Sequence, residues 1–282
     1  RRSGDMLVAS IVAGATSLGA DVHRLGVCPT PALAHLTADG RFGAGIMVSA
    51  SHNPADDNGL KVIDAGGLKL DDPLEDELEA LMLRTEELAG PDNAGLGREL
   101  DARPLLREYV AHRRAIAEGV DAPMRIVVDC AHGSAGAAAG EVLAATGASV
   151  DIRFNTPDGS NINLDCGATA PAAAAAIVAE TGADLGVCLD GDGDRCVAID
   201  ERGQVVDGDR LIGILALDRI RRGALANGYV VVSVLSNGGL EAAIRDAGGR
   251  VVRTPVGDKY IWEAMLVADA GLGGEKSGHV II

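Results

Sequence analysis

The hydrophobic positions of this chain form short apolar runs, and stretches of helical periodicity lie between them. The runs predict strands at 22–27, 46–48, 60–63, 125–129, 185–189, 196–199, 229–235 and 280–282. The periodic stretches predict helices at 4–19, 104–118, 171–181, 209–221 and 240–247, with another beginning near Asp72. Repeated units of strand and helix predict an α/β fold in which helices pack on mixed or parallel sheets.

Prolines and leucines add detail to two of the helices. Thr30 and Asp72 each precede a proline, so we expect them to be N-caps of helices with proline in the first turn. Leu74, Leu78 and Leu81 recur at helical spacing, and they predict one apolar stripe along the helix that follows Asp72.

A weak internal repeat indicates how the chain is divided. Around Ser51, Asp192 and Ser277, an apolar run leads into a polar, glycine-containing loop and then into a second apolar run. The repeat marks three consecutive α/β units, whose bounds we expect at residues 1–118, 119–203 and 204–282. The third is expected to be incomplete, because the sequence closes within a predicted strand.

Composition and charge narrow the classes of partner. The 282 residues are 47% hydrophobic, which is enough for globular cores, and no apolar run is long enough to span a membrane. The formal net charge of −16 argues against nucleic acid and anionic membranes as partners. A phosphorylated ligand would therefore have to be attracted by local cations. Five cysteines without a CxxC pair indicate reduced thiols in a cytoplasmic protein, not a disulfide framework.

The stretch 45–54 is the first candidate site. Its apolar residues give way to Ser51, His52 and Asn53, and Pro54 then signals a turn. Open α/β folds bind ligands where strands leave the sheet, and Ser51 is predicted to lie at such a point. The spacing alone favours an ordinary polar turn, since neighbouring side chains point to opposite faces of an extended chain.

A second loop offers three carboxylates between two apolar runs. Asp190, Asp192 and Asp194 lie on one face of an extended chain, and the glycines between them let the backbone curl around a centre. Three such charges need a cation, and all-oxygen ligands indicate Mg²⁺ or Ca²⁺. An EF-hand is excluded because its sixth position must be glycine, whereas this loop has Arg195 there, and because the flanking runs predict strands.

A third loop, 273–279, is rich in glycine and would by itself be an ordinary turn. Together the three loops resemble those of the α-D-phosphohexomutase superfamily, whose members carry an SASHNP serine loop, a DGDGDR metal loop and a GGExSGH sugar loop. The order and approximate spacing match, and the resemblance covers the whole chain. It implies that the three units are related α/β domains with mixed sheets, whose loops line one cleft, and that a fourth domain, which this chain is expected to lack, follows them.

The resemblance implies a phosphoryl-transfer site with Mg²⁺ as cofactor. Ser51 would carry a phosphoryl group and would bind one Mg²⁺ ion together with the three carboxylates of the metal loop. Lys61 matches the family's NGxK motif and would act as general acid or base, with Arg195 as a neighbouring cation that tunes it. His52 and Asn53 would brace the serine loop. The implied intermediate is a bisphosphorylated sugar.

The resemblance also implies the sugar contacts, which would come from Glu275, Ser277 and His279. Three further stretches, 158–167, 236–241 and 256–260, resemble those of bacterial phosphoglucosamine mutases. That branch interconverts glucosamine 6-phosphate and glucosamine 1-phosphate, a step towards UDP-N-acetylglucosamine and peptidoglycan.

Two residues depart from the pattern of that branch. Lys276 stands where the branch usually has glutamine. Lys259, which with Asp258 is expected to bind the substrate, stands where the branch has arginine, and lysine lacks the bidentate phosphate grip of arginine.

Two alternatives remain at this point. One is a phosphomannomutase or phosphoglucomutase, and the other is a non-catalytic module that binds a phosphosugar or calcium. In each case we expect a small-molecule ligand, with no nucleic acid and no membrane, and a homodimer is one assembly to test.

Residues 1–4 resemble the tail of the family's DTRxSG segment, so the first strand is expected to be missing. The fourth domain grips the distal phosphate in this family, so the 282-residue chain alone should show negligible turnover.

Overall fold

The computed structural model describes residues 1–84 and 88–282. The first part of the chain contains α1 (Gly4–Ser17), β1 (Val22–Arg24), α2 (Thr30–Thr37), β2 (Ala44–Val48), β3 (Leu60–Asp64), α3 (Asp72–Met82), β4 (Glu99–Asp101) and α4 (Leu106–Ala117). Its strands form two separate pairs, since β1 is parallel to β4 and β2 is antiparallel to β3. The serine loop connects β2 to β3.

The helices of this first part differ in detail from the prediction. Helix α3 forms, but its leucine stripe is exposed, with Leu74 at 49% and Leu78 at 36%. Its N-cap is Asp71, whose side chain accepts a hydrogen bond from the Leu74 amide, and the predicted cap Asp72 is the first helical residue. The N-cap of α2 is likewise Pro29, not Thr30.

The second part of the chain forms one five-stranded sheet. Its elements are β5 (Arg125–Asp129), α5 (Ala139–Ala144), β6 (Ser149–Arg153), α6 (Ala172–Thr181), β7 (Leu185–Leu189), β8 (Cys196–Ile199) and β9 (Val205–Val206). The strand order is β6-β5-β7-β8-β9, with a parallel half and an antiparallel half. Strand β5 packs Val127 on one face and Val128 on the other, as expected for a parallel strand covered by helices on both sides.

The third part forms a four-stranded mixed sheet. Its elements are α7 (Gly208–Arg221), β10 (Tyr229–Ser233), α8 (Gly238–Asp246), β11 (Arg250–Thr254), α9 (Asp258–Ala268), β12 (Gly273–Gly274) and β13 (Val280–Ile281). The order is β11-β10-β12-β13, and only β13 is antiparallel to its neighbour. Helix α8 begins two residues before the predicted start, because the Asn237 side chain caps it by accepting from the Gly239 amide.

The three candidate loops occupy equivalent places. Each connects a strand to the antiparallel strand beside it, namely β2 to β3, β7 to β8 and β12 to β13. The predicted class of consecutive α/β units with mixed sheets is therefore confirmed, and so is the repeat of strand, loop and strand. All five cysteines are free thiols. Within the described ranges, no helix combines the length and the apolar character needed to cross a membrane.

Helix α7 provides a matched test of the core of the third part. Ile212 is 0% exposed and packs with Val230, Ile244 and Leu272, whereas Ile214 on the same helix is 60% exposed. We expect Ile212→Ala to lower the free energy of unfolding by about 2–5 kcal/mol, because it leaves a cavity. Ile214→Ala should change it by about 0.5 kcal/mol or less. Urea unfolding of both variants measures the difference, and equal losses would contradict this packing.

Candidate active site

The serine loop and the metal loop meet at the Ser51 hydroxyl. Ser51 is 8% exposed, and its Oγ donates a hydrogen bond of 2.6 Å to Asp190 Oδ2, across 139 residues of sequence. The backbone of Ser51 is left-handed, with φ at +48°. This conformation is uncommon for a residue other than glycine and is found where surrounding contacts enforce it. The hydroxyl is therefore held in a defined position beside a buried carboxylate.

The three carboxylates of the metal loop converge because the backbone turns. The Gly193 amide donates to the Asp190 carbonyl, and Gly193 has a φ of +68°, which glycine adopts without strain. Carboxylate oxygens of Asp190, Asp192 and Asp194 all lie within 4.8 Å of one another. Burial and the charges of Asp194 and Asp192 raise the pKa of Asp190 to about 6.

These carboxylates fit a hard divalent cation. Asp192 Oδ1 and Asp194 Oδ1 are buried, and neither oxygen has a hydrogen-bond partner within the described part of the chain. A buried carboxylate oxygen without a partner is costly, so such oxygens usually indicate an ion or water. An all-carboxylate set is the donor chemistry that Mg²⁺ and Ca²⁺ prefer.

Lys61 supplies the nearest positive charge. It lies on β3, and its Nζ donates to Asp192 Oδ2 at 2.5 Å and to Asp194 Oδ2 at 3.0 Å. Burial alone would lower the pKa of Lys61, but the charges of Asp194 and Asp192 outweigh it, so the pKa is raised. Lys61 is therefore protonated at neutral pH. The pKa of Asp194 is lowered instead. Burial alone would raise it, but the hydrogen bond and charge of His279 and those of Lys61 outweigh burial.

Thr30 is a further partner of the metal loop. Its hydroxyl donates to Asp192 Oδ2 at 2.6 Å, and its amide donates to the Asp192 carbonyl at 2.8 Å. Because Pro29 takes the N-cap position of α2, the hydroxyl is available for this contact. The sequence pattern indicated only a helix start at Thr30, and the local sequence carries no signal for a contact 162 residues away.

The sugar loop reaches the metal loop through His279. The distance from its Nε2 to Asp194 Oδ2 is 3.4 Å, and its Nδ1 lies 3.8 Å from Glu275 Oε2. Burial would lower the pKa of His279, but its hydrogen bond to Asp194 and the charge of that carboxylate raise it. Glu275 is 6% exposed and accepts a hydrogen bond from the Gly257 amide, while Ser277 is open to solvent.

Asp258 and Lys259 begin helix α9 and form ion pairs with the first part of the chain. Lys69 Nζ lies 2.6 Å from Asp258 Oδ1, and Lys259 Nζ lies 2.5 Å from Asp72 and 3.3 Å from Glu75. Both residues that are predicted to bind the substrate thus contact the first part of the chain, to which the serine loop also belongs. Partly exposed ion pairs of this kind contribute about 1 kcal/mol or less to stability.

The remaining predicted residues surround the serine loop. Arg195 donates its backbone amide to Asp190 Oδ1, and its Nε is buried without a hydrogen-bond partner among the described residues. The pKa of His52 is lowered, first by the partial burial of its ring and then by the positive charge of Arg195. The Asn53 side chain donates to Asp57 Oδ2 at 3.1 Å.

Two residues that the sequence analysis did not assign a role also hold this loop. Arg1 Nη2 donates to the Ser51 carbonyl at 3.0 Å and to the Asn53 carbonyl at 2.8 Å. Asn163 Nδ2 donates to the same two carbonyls, at 2.9 and 3.1 Å. Asn163 belongs to a stretch singled out by its resemblance to other sequences, but that resemblance gave no role for its amide.

Family models match almost all of the chain. Those for domains I, II and III of the phosphoglucomutase/phosphomannomutase family, each described as alpha/beta/alpha, match residues 1–89, 107–203 and 207–282 respectively. The domain boundaries expected from the sequence, after residues 118 and 203, stay predictions.

Relatives with curated names agree with the family models. The chain is 48% identical to the phosphoglucosamine mutase of Moorella thermoacetica, covering 100% of this chain and 64% of that protein. It is 47% identical to that of Mycolicibacterium smegmatis, covering 62% of it. The chain thus spans less than two thirds of the relatives it matches.

A solved structure shares the architecture. A phosphoglucomutase/phosphomannomutase family protein from Burkholderia thailandensis superposes with a TM-score of 0.83 at 26% identity, covering 99% of this chain and 61% of that one. With three family models in order and relatives near half identity, the chain belongs to the α-D-phosphohexomutase superfamily, where it is similar to the phosphoglucosamine mutases.

Proposed function

We propose that this chain provides the chemistry of a phosphoglucosamine mutase, which interconverts glucosamine 6-phosphate and glucosamine 1-phosphate. The observation that carries the proposal is the 2.6 Å hydrogen bond between the Ser51 hydroxyl and the buried Asp190, within a triplet of carboxylates. A serine in such a place can exchange a phosphoryl group where a divalent cation is bound. The names of the relatives, at 42–48% identity, support glucosamine phosphates as the substrates.

Ser51 is the proposed phosphoryl carrier. A sugar hydroxyl attacks the phosphorus of phosphorylated Ser51, a new P–O bond forms, and the P–Oγ bond to serine breaks. The bisphosphorylated sugar then turns in the cleft, and its other phosphate returns to Ser51 by the reverse step. Asp190, Asp192, Asp194 and Ser51 would hold Mg²⁺, which when bound neutralises charge on the transferring group.

Lys61 is the proposed group for proton transfer. The sugar hydroxyl must lose a proton in the first step, and Ser51 Oγ must gain one. Because its carboxylate neighbours raise its pKa, Lys61 starts as an ammonium that can give a proton to the departing Oγ and recover one from the hydroxyl. Arg195, on the same loop as the carboxylates, adds a second cation that attracts the phosphate despite the net charge of −16.

The sugar loop and helix α9 form the proposed sugar and phosphate contacts. Glu275 is fixed by the Gly257 amide, so its remaining carboxylate oxygen can accept from sugar hydroxyls alongside Ser277 and His279. Lys259 would leave Asp72 and Glu75 to bind the phosphate that is not transferred, and Asp258 would position it.

The free thiols of the chain support a cytoplasmic location.

Phosphorylation of Ser51 tests the proposal directly. We expect the intact protein, incubated with Mg²⁺ and glucosamine 1,6-bisphosphate, to gain one phosphate at Ser51, measured by mass spectrometry of its peptides. Glucose and mannose bisphosphates should react more slowly, which separates the glucosamine enzyme from other hexose phosphate mutases. Ser51→Ala should abolish incorporation and change the dissociation constant for glucosamine 6-phosphate by less than about 10-fold. Absence of phosphate from wild-type Ser51 would favour a binding module.

Removing one carboxylate tests the metal assignment. Asp192→Asn should weaken Mg²⁺ binding by at least about 10-fold, because a buried anionic oxygen is lost, and circular dichroism should show the fold unchanged. Asp246→Asn is the matched control, since it removes one negative charge at an exposed position of α8. Equal Mg²⁺ affinities in calorimetry for the two variants would overturn the site.

The raised pKa of Asp190, about 6, gives Mg²⁺ binding a pH dependence. A cation has to displace the proton, so the affinity should be constant well above pH 6 and fall as the pH drops through it. Between pH 7.5 and pH 5 we expect a loss of roughly 10-fold. Calorimetry at both values measures this, and a constant affinity would show that Asp190 does not bind the ion in its charged form.

A further inference from the structure

The loop between β6 and α6 sends one side chain into the serine loop. Asn163 Nδ2 donates to the Ser51 carbonyl at 2.9 Å and to the Asn53 carbonyl at 3.1 Å, across 112 and 110 residues of sequence. We propose that Asn163 is a positioning residue, which fixes the backbone of the serine loop so that Ser51 Oγ faces Asp190. This inference rests on the proposed function of Ser51 as phosphoryl carrier.

Asn163 is itself fixed from behind. The backbone φ of Asn163 is +58°, and its backbone N–H donates to the carbonyl of Ala131. The backbone of Ala131 is also left-handed, with φ at +52°. Ala131 is held in turn, because Asp129, a fully buried carboxylate, accepts from the Ala131 amide at 2.8 Å and the Gly167 amide at 2.7 Å. The Asn163 amide therefore projects from a rigid base, and so it can impose a position on the loop it contacts.

The metal loop closes against the same two loops. A Cβ added to Gly191 would lie 2.7 Å from the Ser51 carbonyl oxygen and 2.7 Å from the Cδ1 atom of Ile162. Ile162 directly precedes Asn163 in the sequence. Only glycine permits such an approach, so the serine loop, the Asn163 loop and the metal loop are in direct contact here. A shift of the Ser51 backbone would change the position of Oγ relative to Asp190.

The Asn163 amide opposes the strain at Ser51. A left-handed backbone is strained for serine, and this strain has to be offset by contacts of its neighbours. Arg1 and Asn163 donate to the same two carbonyls, but they differ in charge. Arg1 adds a cation near the phosphate, whereas Asn163 is neutral. Loss of the Asn163 amide should therefore affect the geometry of transfer without changing the local charge.

Three variants distinguish the effect of the Asn163 side-chain amide from the effect of its backbone conformation. Asn163→Gly removes the amide and keeps a residue that adopts a positive φ freely, while Asn163→Ala removes the amide and adds strain. Asn161→Gly is the control, because Asn161 lies in the same loop and, among the described residues, its side chain bonds within that loop, donating to the Thr156 carbonyl and accepting from the Asp158 amide. Phosphate transfer from glucosamine 1,6-bisphosphate to Ser51 should slow by about 10- to 100-fold in Asn163→Gly, since small misplacements reduce in-line transfer steeply.

Readouts beyond the transfer rate identify a positioning role. In Asn163→Gly the dissociation constants for Mg²⁺ and glucosamine 6-phosphate should stay within about 3-fold of wild type, because most of their proposed contacts come from the three carboxylates and the sugar loop, which Asn163 does not position. Amide hydrogen exchange in the peptide covering 49–54 should accelerate relative to Asn161→Gly. Transfer at the wild-type rate in Asn163→Gly, with slow transfer in Asn163→Ala alone, would show that only the backbone matters and would overturn the inference.

The two proposals fail in different ways. A wild-type chain that never acquires phosphate on Ser51 contradicts the proposed function, and hydrogen exchange then decides the positioning role alone. Unchanged exchange in residues 49–54 of Asn163→Gly would refute it. A wild-type chain that is phosphorylated normally, alongside an Asn163→Gly variant equal to it in rate and exchange, refutes only the role of Asn163.

Discussion

Repulsion among three buried carboxylates is the constraint to which the rest of the cleft responds. Two unit charges 4.8 Å apart repel by about 3.5 kcal/mol at an effective dielectric constant of 20. Each carboxylate is therefore met by donors from outside its own loop. Ser51 donates to Asp190, and Thr30 and Lys61 donate to Asp192, while Asp194 is approached by Lys61 and His279. The charge of one loop thus binds the other two loops to it.

The contacts between the three parts of the chain differ in strength. Buried hydrogen bonds join the first part to the second, through Ser51 and Thr30, and the Cys196 amide donates to the Gly278 carbonyl between the second and third. The first and third parts meet through partly exposed ion pairs such as Lys259 with Asp72. Pairs of that kind stabilise little, so the contact between the first and third parts is weaker than the buried contacts around the carboxylate cluster.

The sequence predicts the three loops more readily than it predicts the long-range contacts that hold them in place. Short apolar runs followed by polar residues identify β2 and β7, an apolar run after its loop identifies β13, and the alternation of aspartate with glycine identifies the carboxylate cluster, because these signals are local. The local sequence predicts a helix cap at Thr30 and no role for Arg1 and Asn163, because their partners lie 50 to 162 residues away. The leucine stripe of α3 follows the helical period correctly, yet periodicity cannot say whether a second surface covers it.

Lys61 links the electrostatics of the cluster to its chemistry. In this structure it compensates Asp192 and Asp194, and they raise its pKa in return. A residue with so high a pKa gives up its proton reluctantly, which is unfavourable for proton exchange at neutral pH. Sharing the same two carboxylates with a divalent cation would weaken their hold on Lys61 and move its pKa down, towards the range in which it can both give and take a proton. Under the proposed function, charge compensation and proton transfer are thus two uses of one ammonium group, and the carboxylates decide between them.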